Sequence, residues 1–479
     1  MSKESKLFKN TVIIAIGNIC TKCISFFLLP LYTSILTTEE YGKVDLVATY
    51  VALLTIILTL QFEQGLFRFL IESRENENKK TKYITTILIS VFFVTSVFAL
   101  AITPILVRIK YEFTFYLVVW TIVSVINSLI IQIPRGLGDN PTYTKGSFIS
   151  ASLNVIFNAL FIALFKLGMK SLLISSILSL TLSAMYVFFK LKLWKYIKLN
   201  MFSKKYFIKI SKYSLPLIPY TLCWWVISAS DRIIINLFIG TAANGIYAAA
   251  YKFPSLFRMI TNIFQLSWTE SASENINDER REEYYQKIIM NTIKFYSACN
   301  LLIICVMPFV FDILIKSDFV ESYKYIPILM LAALFHSISS LYCSIYFAFK
   351  ETKKVALTTI GAAIINVIIN IVLIKKLGLY AAAISSALAY IIVNIISHID
   401  IQRLTKIKIS KKYLIKELLL YSIAIIIYYS DIKIAQAIVF LFACICSFIQ
   451  NKEIIYSIIK NIKIKMNNLR FFEKNENSL

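Results

Sequence analysis

Fourteen apolar runs, most of them long enough to cross a lipid bilayer, follow one another along this chain with short, mostly basic connections between them. They fall at about 11–36, 43–71, 83–107, 113–133, 143–165, 170–193, 213–240, 244–268, 286–316, 325–349, 354–374, 379–400, 412–430 and 434–450. A spanning helix needs about 20 mostly apolar residues. Inside hydrocarbon, only helices and closed barrels satisfy every backbone N–H and C=O. Runs of this length therefore predict an all-α polytopic membrane protein. Composition agrees: 58% of the 479 residues are hydrophobic and 16% are charged, where a soluble domain has roughly half and a quarter.

The charges sort by connection. One alternate set holds Lys3, Lys6 and Lys9, then Arg68, Arg74, Lys79, Lys80 and Lys82, then eight lysines between 190 and 212. Later members carry Lys350, Lys353 and Lys354, and a group from Arg403 to Lys416. The facing connections are poor: 241–244 has no basic residue and 431–433 only Lys433. The positive-inside rule then predicts both termini in the cytoplasm and an even number of spans. The net charge of +24 reads as topology signals and contact with anionic lipid. Nucleic-acid binding is not expected, because no basic domain of useful size exists.

The eight cysteines all lie within apolar runs, and Cys20-x-x-Cys23 has neither a second pair nor a histidine cluster beside it. They read as packing residues. With His336 and His398 the only histidines, no metal, cofactor or catalytic triad is expected. The start, MSKESKLFKN, leads into a first span rather than a cleaved signal. Residues 451–479 read as a basic cytoplasmic tail.

An internal repeat organises the spans. LNVIFNALFIALFKLGMKSLLISSILS from Leu153 is echoed by INVIINIVLIKKLGLYAAAISSALA from Ile365. Asn154 and Asn158 correspond to Asn366 and Asn370 at an offset of 212, and Gly168 and Ser175-Ser176 to Gly378 and Ser385-Ser386 at 210. A weaker echo aligns TTEEYGKVDLVATY with GTAANGIYAAAYKF, Gly42 with Gly245. The expected organisation is an N-lobe of six helices (1–200), a basic inter-lobe loop (201–212), a C-lobe of six helices (213–402), two extra helices (403–450) and the tail. Repeats of this kind build secondary transporters, with the substrate site between them.

The residues at this point resemble a known family. Asn18-Ile-Cys-Thr-Lys22 through Pro30 to Tyr41-Gly42, and Ser230-Asp231-Arg232 through Gly240, Gly245 and Tyr247 to Ala250-Tyr251-Lys252, look like bacterial polysaccharide-biosynthesis flippases of the Wzx type. That resemblance implies membership of the wider superfamily that includes MATE multidrug extruders and the lipid II flippase, and a two-lobed fold with the last two helices outside the repeat. It also implies the bacterial cytoplasmic membrane, a lipid-linked oligosaccharide as substrate, and no enzymatic step.

Charged residues within spans are costly and are functional candidates. Asn18, Lys22 and Ser25 share one helix face, as do Gln61, Gln64 and Arg68. Ser228, Arg232 and Asn236 form a stripe, and Tyr247, Tyr251, Ser255, Arg258, Asn262 and Gln265 trace a polar face on the eighth run, with Lys252 pointing elsewhere. Lys22, Arg68, Arg232, Lys252 and Arg258 are the candidate cationic contacts, and the polar residues of these faces the lining. Basic groups suit a pyrophosphate and tyrosines suit sugar rings. Glu63 reads as a packing or pairing residue, Glu39, Glu40 and Asp45 as surface or capping residues. Pro30, Pro216, Pro219 and Pro254 can bend helices, although Pro216 and Pro219 can equally start one.

The leading expectation is a flippase for a polyprenyl-pyrophosphate-linked oligosaccharide working by alternating access. H+ or Na+ is a candidate coupling ion, and membrane lipids and polysaccharide-assembly proteins are candidate partners. A MATE-like drug exporter should favour an acidic cavity. A membrane glycan polymerase usually needs a sizeable external loop, and none is seen in the sequence.

Overall fold

The structure, a computed structural model, describes Phe26, residues 28–430 and residues 432–452. Its regular elements are all helical. They are α1 (Leu29–Ile35), α2 (Thr38–Thr59), α3 (Phe62–Glu72), α4 (Glu77–Arg108), α5 (Thr114–Leu137), α6 (Asn140–Ala163), α7 (Lys170–Lys190), α8 (Lys204–Ser214) and α9 (Leu217–Phe238). There follow α10 (Thr241–Ala250), α11 (Lys252–Glu274), α12 (Arg281–Leu314), α13 (Ile326–Ala348), α14 (Thr352–Leu377), α15 (Leu379–Ile401), α16 (Lys411–Tyr428) and α17 (Lys433–Gln450). Among the described residues, ten helices are long and apolar enough to cross a membrane. Their outward residues are apolar: Phe92, Leu100 and Ile434 are each more than two-thirds exposed, as a helix facing lipid requires.

Local chemistry sets the boundaries. Thr37 and Glu40 form a reciprocal cap on α2, with Glu40 N donating to Thr37 Oγ1 (3.2 Å) and Thr37 N to Glu40 Oε2 (3.0 Å). Asn76 and Asp139 accept from the first-turn amides of α4 and α6. Pro216 stands just before α9 and Pro219 in its first turn, where a missing N–H costs nothing; both start the helix.

Two runs that the sequence suggested as continuous are broken. The run 43–71 divides at Leu60 and Gln61, both left-handed (φ 52° and 57°), a backbone that ends a right-handed helix. Gln61 is held there by Thr221, whose hydroxyl donates to its side-chain oxygen (3.2 Å). The run 244–268 divides at Tyr251, because Pro254 has no N–H to donate back into the preceding turn. The segment 201–212, expected as a loop, is largely the helix α8: it buries Ile210 and Ser214 and leaves Lys204, Lys205, Lys209 and Lys212 exposed.

The chain forms two compact units. The first comprises Met1–Lys252, Asp312–Tyr325 and Ala356–Ala389; the second comprises Phe253–Phe311, Ile326–Val355 and Tyr390–Leu479. In the first, α2 and α10 cross at two glycines. A Cβ on Gly42 would lie 2.0 Å from the Thr241 carbonyl oxygen, and one on Gly245 would lie 1.9 Å from that of Thr38. Each glycine thus meets the residue four before the other, a reciprocal contact of the kind a two-fold axis produces. Small residues four apart let backbones touch. In the second unit, polar side chains bind helix to helix: Asn300 donates to the Met330 carbonyl (2.8 Å), Tyr296 to that of Thr261 (3.1 Å) and Trp268 to that of Leu341 (3.1 Å).

Candidate functional site

The repeated asparagines and serines do the same thing twice. On α6, Asn154 Nδ2 donates to Ser176 and Ser179 of α7 at 3.3 and 3.4 Å, and Asn158 donates to Asn154 (3.0 Å). On α14, Asn366 Nδ2 donates to Ser385 and Ser386 of α15 at 3.4 and 3.1 Å. The turns joining these pairs place Gly168 and Gly378 at φ +57° and +55°, where a side chain would be strained. Asn158, Asn366 and Asn370 each leave a buried Oδ1 without a hydrogen-bond partner among the described residues.

Among the described residues, only the second copy holds a carboxylate. Asp231, 1% exposed on α9, accepts from Asn370 Nδ2 (2.7 Å), Ser386 Oγ (2.9 Å) and Tyr247 Oη (2.8 Å). Four helices thus converge on one buried acid. Its sequence neighbour Arg232 turns away and pairs with Asp45 of α2, Nε to Oδ2 at 2.8 Å, while Nη1 donates to the Ser228 carbonyl (2.9 Å). The guanidinium carbon lies 4.5 Å from the Tyr251 ring centre, and Tyr251 stacks on Tyr247 at 6.1 Å. Lys252 Nζ lies 5.9 Å from the Tyr41 ring centre. Asn244, fully buried, donates to the Gly42 carbonyl (3.0 Å) and lies 3.5 Å from Asp45 Oδ2.

This cluster gathers Arg232, Tyr247, Tyr251 and Lys252 from the candidate residues. Two acids, Asp45 and Asp231, face two bases, Arg232 and Lys252, so the four formal charges balance. Asp45, expected at the surface or as a cap, is instead the partner of Arg232, and Glu40 alone does the capping. The adjacent Asp231 and Arg232 do not pair with each other but bind different partners. Asn236 lies nearby but accepts from Thr241 (2.9 Å), closing the α9–α10 turn.

The remaining candidates lie elsewhere. Arg68 is half-exposed and pairs with Glu72 one turn on (3.1 Å); Gln64 is exposed. Arg258 belongs to the second unit, where Nη2 meets His336 Nε2 at 3.2 Å, and His336 packs edge-on against Tyr390. Asn262 is exposed and Gln265 is half-buried on the same helix. Asn18, Lys22 and Ser25, with Cys20 and Cys23, lie outside the described residues. Among the described residues no three His, Cys, Asp or Glu side chains gather as metal ligands would. A cavity of about 710 Å³ beside Phe92, Leu100, Ile126 and Phe188 is apolar and lies away from these charges; a lipid-facing groove is its natural reading.

Sequence reasoning missed Asp45, Asn244, Asn370 and Ser386 as members of the cluster. The last two were already marked by the repeat, but as organisation rather than as a site.

Comparison with known proteins agrees with this architecture. A family model described as polysaccharide biosynthesis protein matches residues 7–265. No individually curated protein matches the chain. Among solved structures, the lipid II flippase MurJ in an inward closed conformation aligns with a TM-score of 0.67 at 16% identity, over 94% of this chain and 100% of that one. An inward-facing multidrug resistance MATE transporter of the MOP superfamily aligns at 0.66 and 14%, over 81% and 98%. A MOP transporter from Pyrococcus furiosus, described as having a binding pocket of reversed polarity, aligns at 0.59 and 16%, over 83% and 96%. At such identities the likeness is one of fold. With ten apolar helices, it makes the chain a multi-pass membrane protein.

Proposed function

Because the chain belongs to the polysaccharide biosynthesis protein family, we propose that it is a flippase moving a polyprenyl-pyrophosphate-linked oligosaccharide across the cytoplasmic membrane by alternating access. Both termini would face the cytoplasm, and the chain would perform no covalent step. The observation that supports a pyrophosphate cargo is the group of Arg232, Lys252, Tyr247 and Tyr251 with its balancing acids. Arg232 at rest grips a carboxylate. Two oxygens of a tetrahedral phosphoryl group can accept side by side from a guanidinium and carry more charge, so a pyrophosphate would take Arg232 from Asp45. The tyrosine faces would receive sugar rings, while the polyprenyl tail stays in lipid. Lys22, Arg68 and Arg258 are proposed as further cationic contacts. Where H+ or Na+ drives the cycle, we assign it to Asp231, beside the orphaned oxygens of Asn366 and Asn370.

The test is genetic and chemical. Deleting the gene should strip the cell of a surface glycan, and wild-type protein should restore it where Arg232→Glu does not. Normal glycan in the deletion strain, together with full function of charge reversals at Lys22 and Arg258, would sink the reading. The fold likeness to a multidrug transporter supports a second reading, drug export. Ion-gradient-dependent efflux of a cationic drug from cells whose glycan is unaffected would favour it.

A further inference from the structure

Two basic segments that the sequence offers as topology signals and as general contact with anionic lipid are brought together at one small pocket. The start of α4 and the exposed face of α8 enclose a cavity of about 170 Å³ whose walls include Lys79, Lys205, Lys209, Tyr83, Tyr206 and Glu72. The parts are well fixed. Tyr83 and Tyr206 pack edge to face at 4.6 Å, and Tyr83 stacks on Phe69 at 5.4 Å. Lys209 Nζ donates to Tyr83 Oη (3.3 Å) and sits 4.6 Å from the Phe69 ring centre. The chain leading into α8 is tied to α4, since Lys198 N donates to Thr85 and Ser203 N to Thr86.

The charge at this pocket is unbalanced. Glu72, the acid in its wall, is engaged by Arg68 (3.1 Å). Among the described residues, Lys79, Lys205 and Lys209 form no ion pair with a carboxylate. Three ammonium groups held around one cavity repel one another unless an anion joins them. Each ammonium has three donors, and the Tyr83 hydroxyl occupies one of those on Lys209. A phosphate, with oxygens on all sides, matches several point-like donors around it.

Position identifies the carrier of that phosphate. Lys79 and Tyr83 stand where α4 passes from polar residues into the apolar run beginning at Ile84. Around the approach to α8, Trp194, Leu199 and Phe202 are 47%, 77% and 46% exposed. Exposed apolar and indole groups beside lysines mark the level of lipid headgroups. We propose that the Lys79–Lys205–Lys209 pocket is a second anion site, separate from the Arg232 cluster, that binds the phosphate or pyrophosphate of a membrane-lipid headgroup. The site does not depend on the proposed transport function, because a headgroup held there need not be moved.

The test uses the full chain in detergent and counts bound lipid by native mass spectrometry. The probes are phosphatidylglycerol, a polyprenyl pyrophosphate, phosphatidylcholine as a zwitterionic control, and inorganic pyrophosphate as a free competitor. Wild type should retain the two anionic lipids and not phosphatidylcholine. At a typical electrostatic gain per lysine, K79Q/K205Q/K209Q should weaken retention by about a hundredfold. The control K190Q/K192Q/K195Q removes the same charge from a neighbouring stretch and should keep it. Preference for polyprenyl pyrophosphate assigns the site to the carrier lipid, and preference for phosphatidylglycerol assigns it to bulk anionic lipid; both support it. Undiminished retention by the first variant, equal loss in the control, or displacement of neither lipid by pyrophosphate overturns the proposal.

Discussion

At the residue scale, the consequential contact is Asp45–Arg232. Its side chains are 22% and 11% exposed, so the pair is largely withdrawn from water. Removing one partner from such a pair leaves a charge that neither water nor an opposite charge compensates. Asp45→Asn is therefore expected to destabilise the protein by about 2 kcal/mol or more, read as a lowered unfolding midpoint in detergent. Arg232→Gln should cost a similar amount. The double variant Asp45→Asn/Arg232→Gln should cost less than the sum of the two, since it removes both charges together. Strict additivity would mean that the 2.8 Å contact contributes no coupling. The pair was invisible to sequence periodicity for a plain reason. Stripes of polar residues show which side chains share a face of one helix, and Asp45 and Arg232 are 187 residues apart.

At the scale of elements, the α2–α10 crossing makes opposite predictions for different glycines. Gly42→Ala and Gly245→Ala each drive a methyl group into a backbone carbonyl that cannot rotate aside. Each should cost about 2–3 kcal/mol and separate the helices enough to disturb Asn244 and Asp45. Gly361, within α14, has nothing within 4 Å of its would-be Cβ, so Gly361→Ala should stabilise by up to about 1 kcal/mol through helix propensity. Thermal unfolding of the three variants in one detergent checks all of this, and a neutral Gly42→Ala would refute the close crossing. Helix positions were legible in the sequence, because a run of apolar residues bounded by caps leaves the backbone little choice in lipid. The breaks at Gln61 and Tyr251 were less so. At Tyr251 the sequence offered a signal in Pro254, but at Leu60–Gln61 neither residue favours a left-handed backbone, and the tie to Thr221 is a tertiary contact. The aligned glycines of the weaker echo turned out to touch each other, which no alignment of one chain with itself can reveal.

At the scale of the molecule, the repeat produces matching helix pairs with unequal chemistry. Asn158 in the first copy donates to a neutral amide oxygen (3.0 Å), whereas Asn370 in the second donates to the buried Asp231 carboxylate (2.7 Å). A hydrogen bond to a charged group is worth about 1.5–3 kcal/mol and one between neutral groups about 1 kcal/mol. Asn370→Ala should then lower stability by about 2 kcal/mol and Asn158→Ala by about 1 kcal/mol, measured as the shift between unfolding midpoints. The same asymmetry bears on function. If Asp231 takes part in the transport cycle, Asn370→Ala and Ser386→Ala will impair restoration of surface glycan at expression levels where Asn158→Ala and Ser176→Ala do not. Equal impairment by both pairs would show that the Asn–Ser constellations only hold helices together. A repeat that began as two like halves would then have kept its symmetry in mechanism as well as in packing. The carboxylate Asp231 held by the second copy argues for the first outcome, because an acid desolvated on every side is costly to retain and its three donors are supplied by three separate helices.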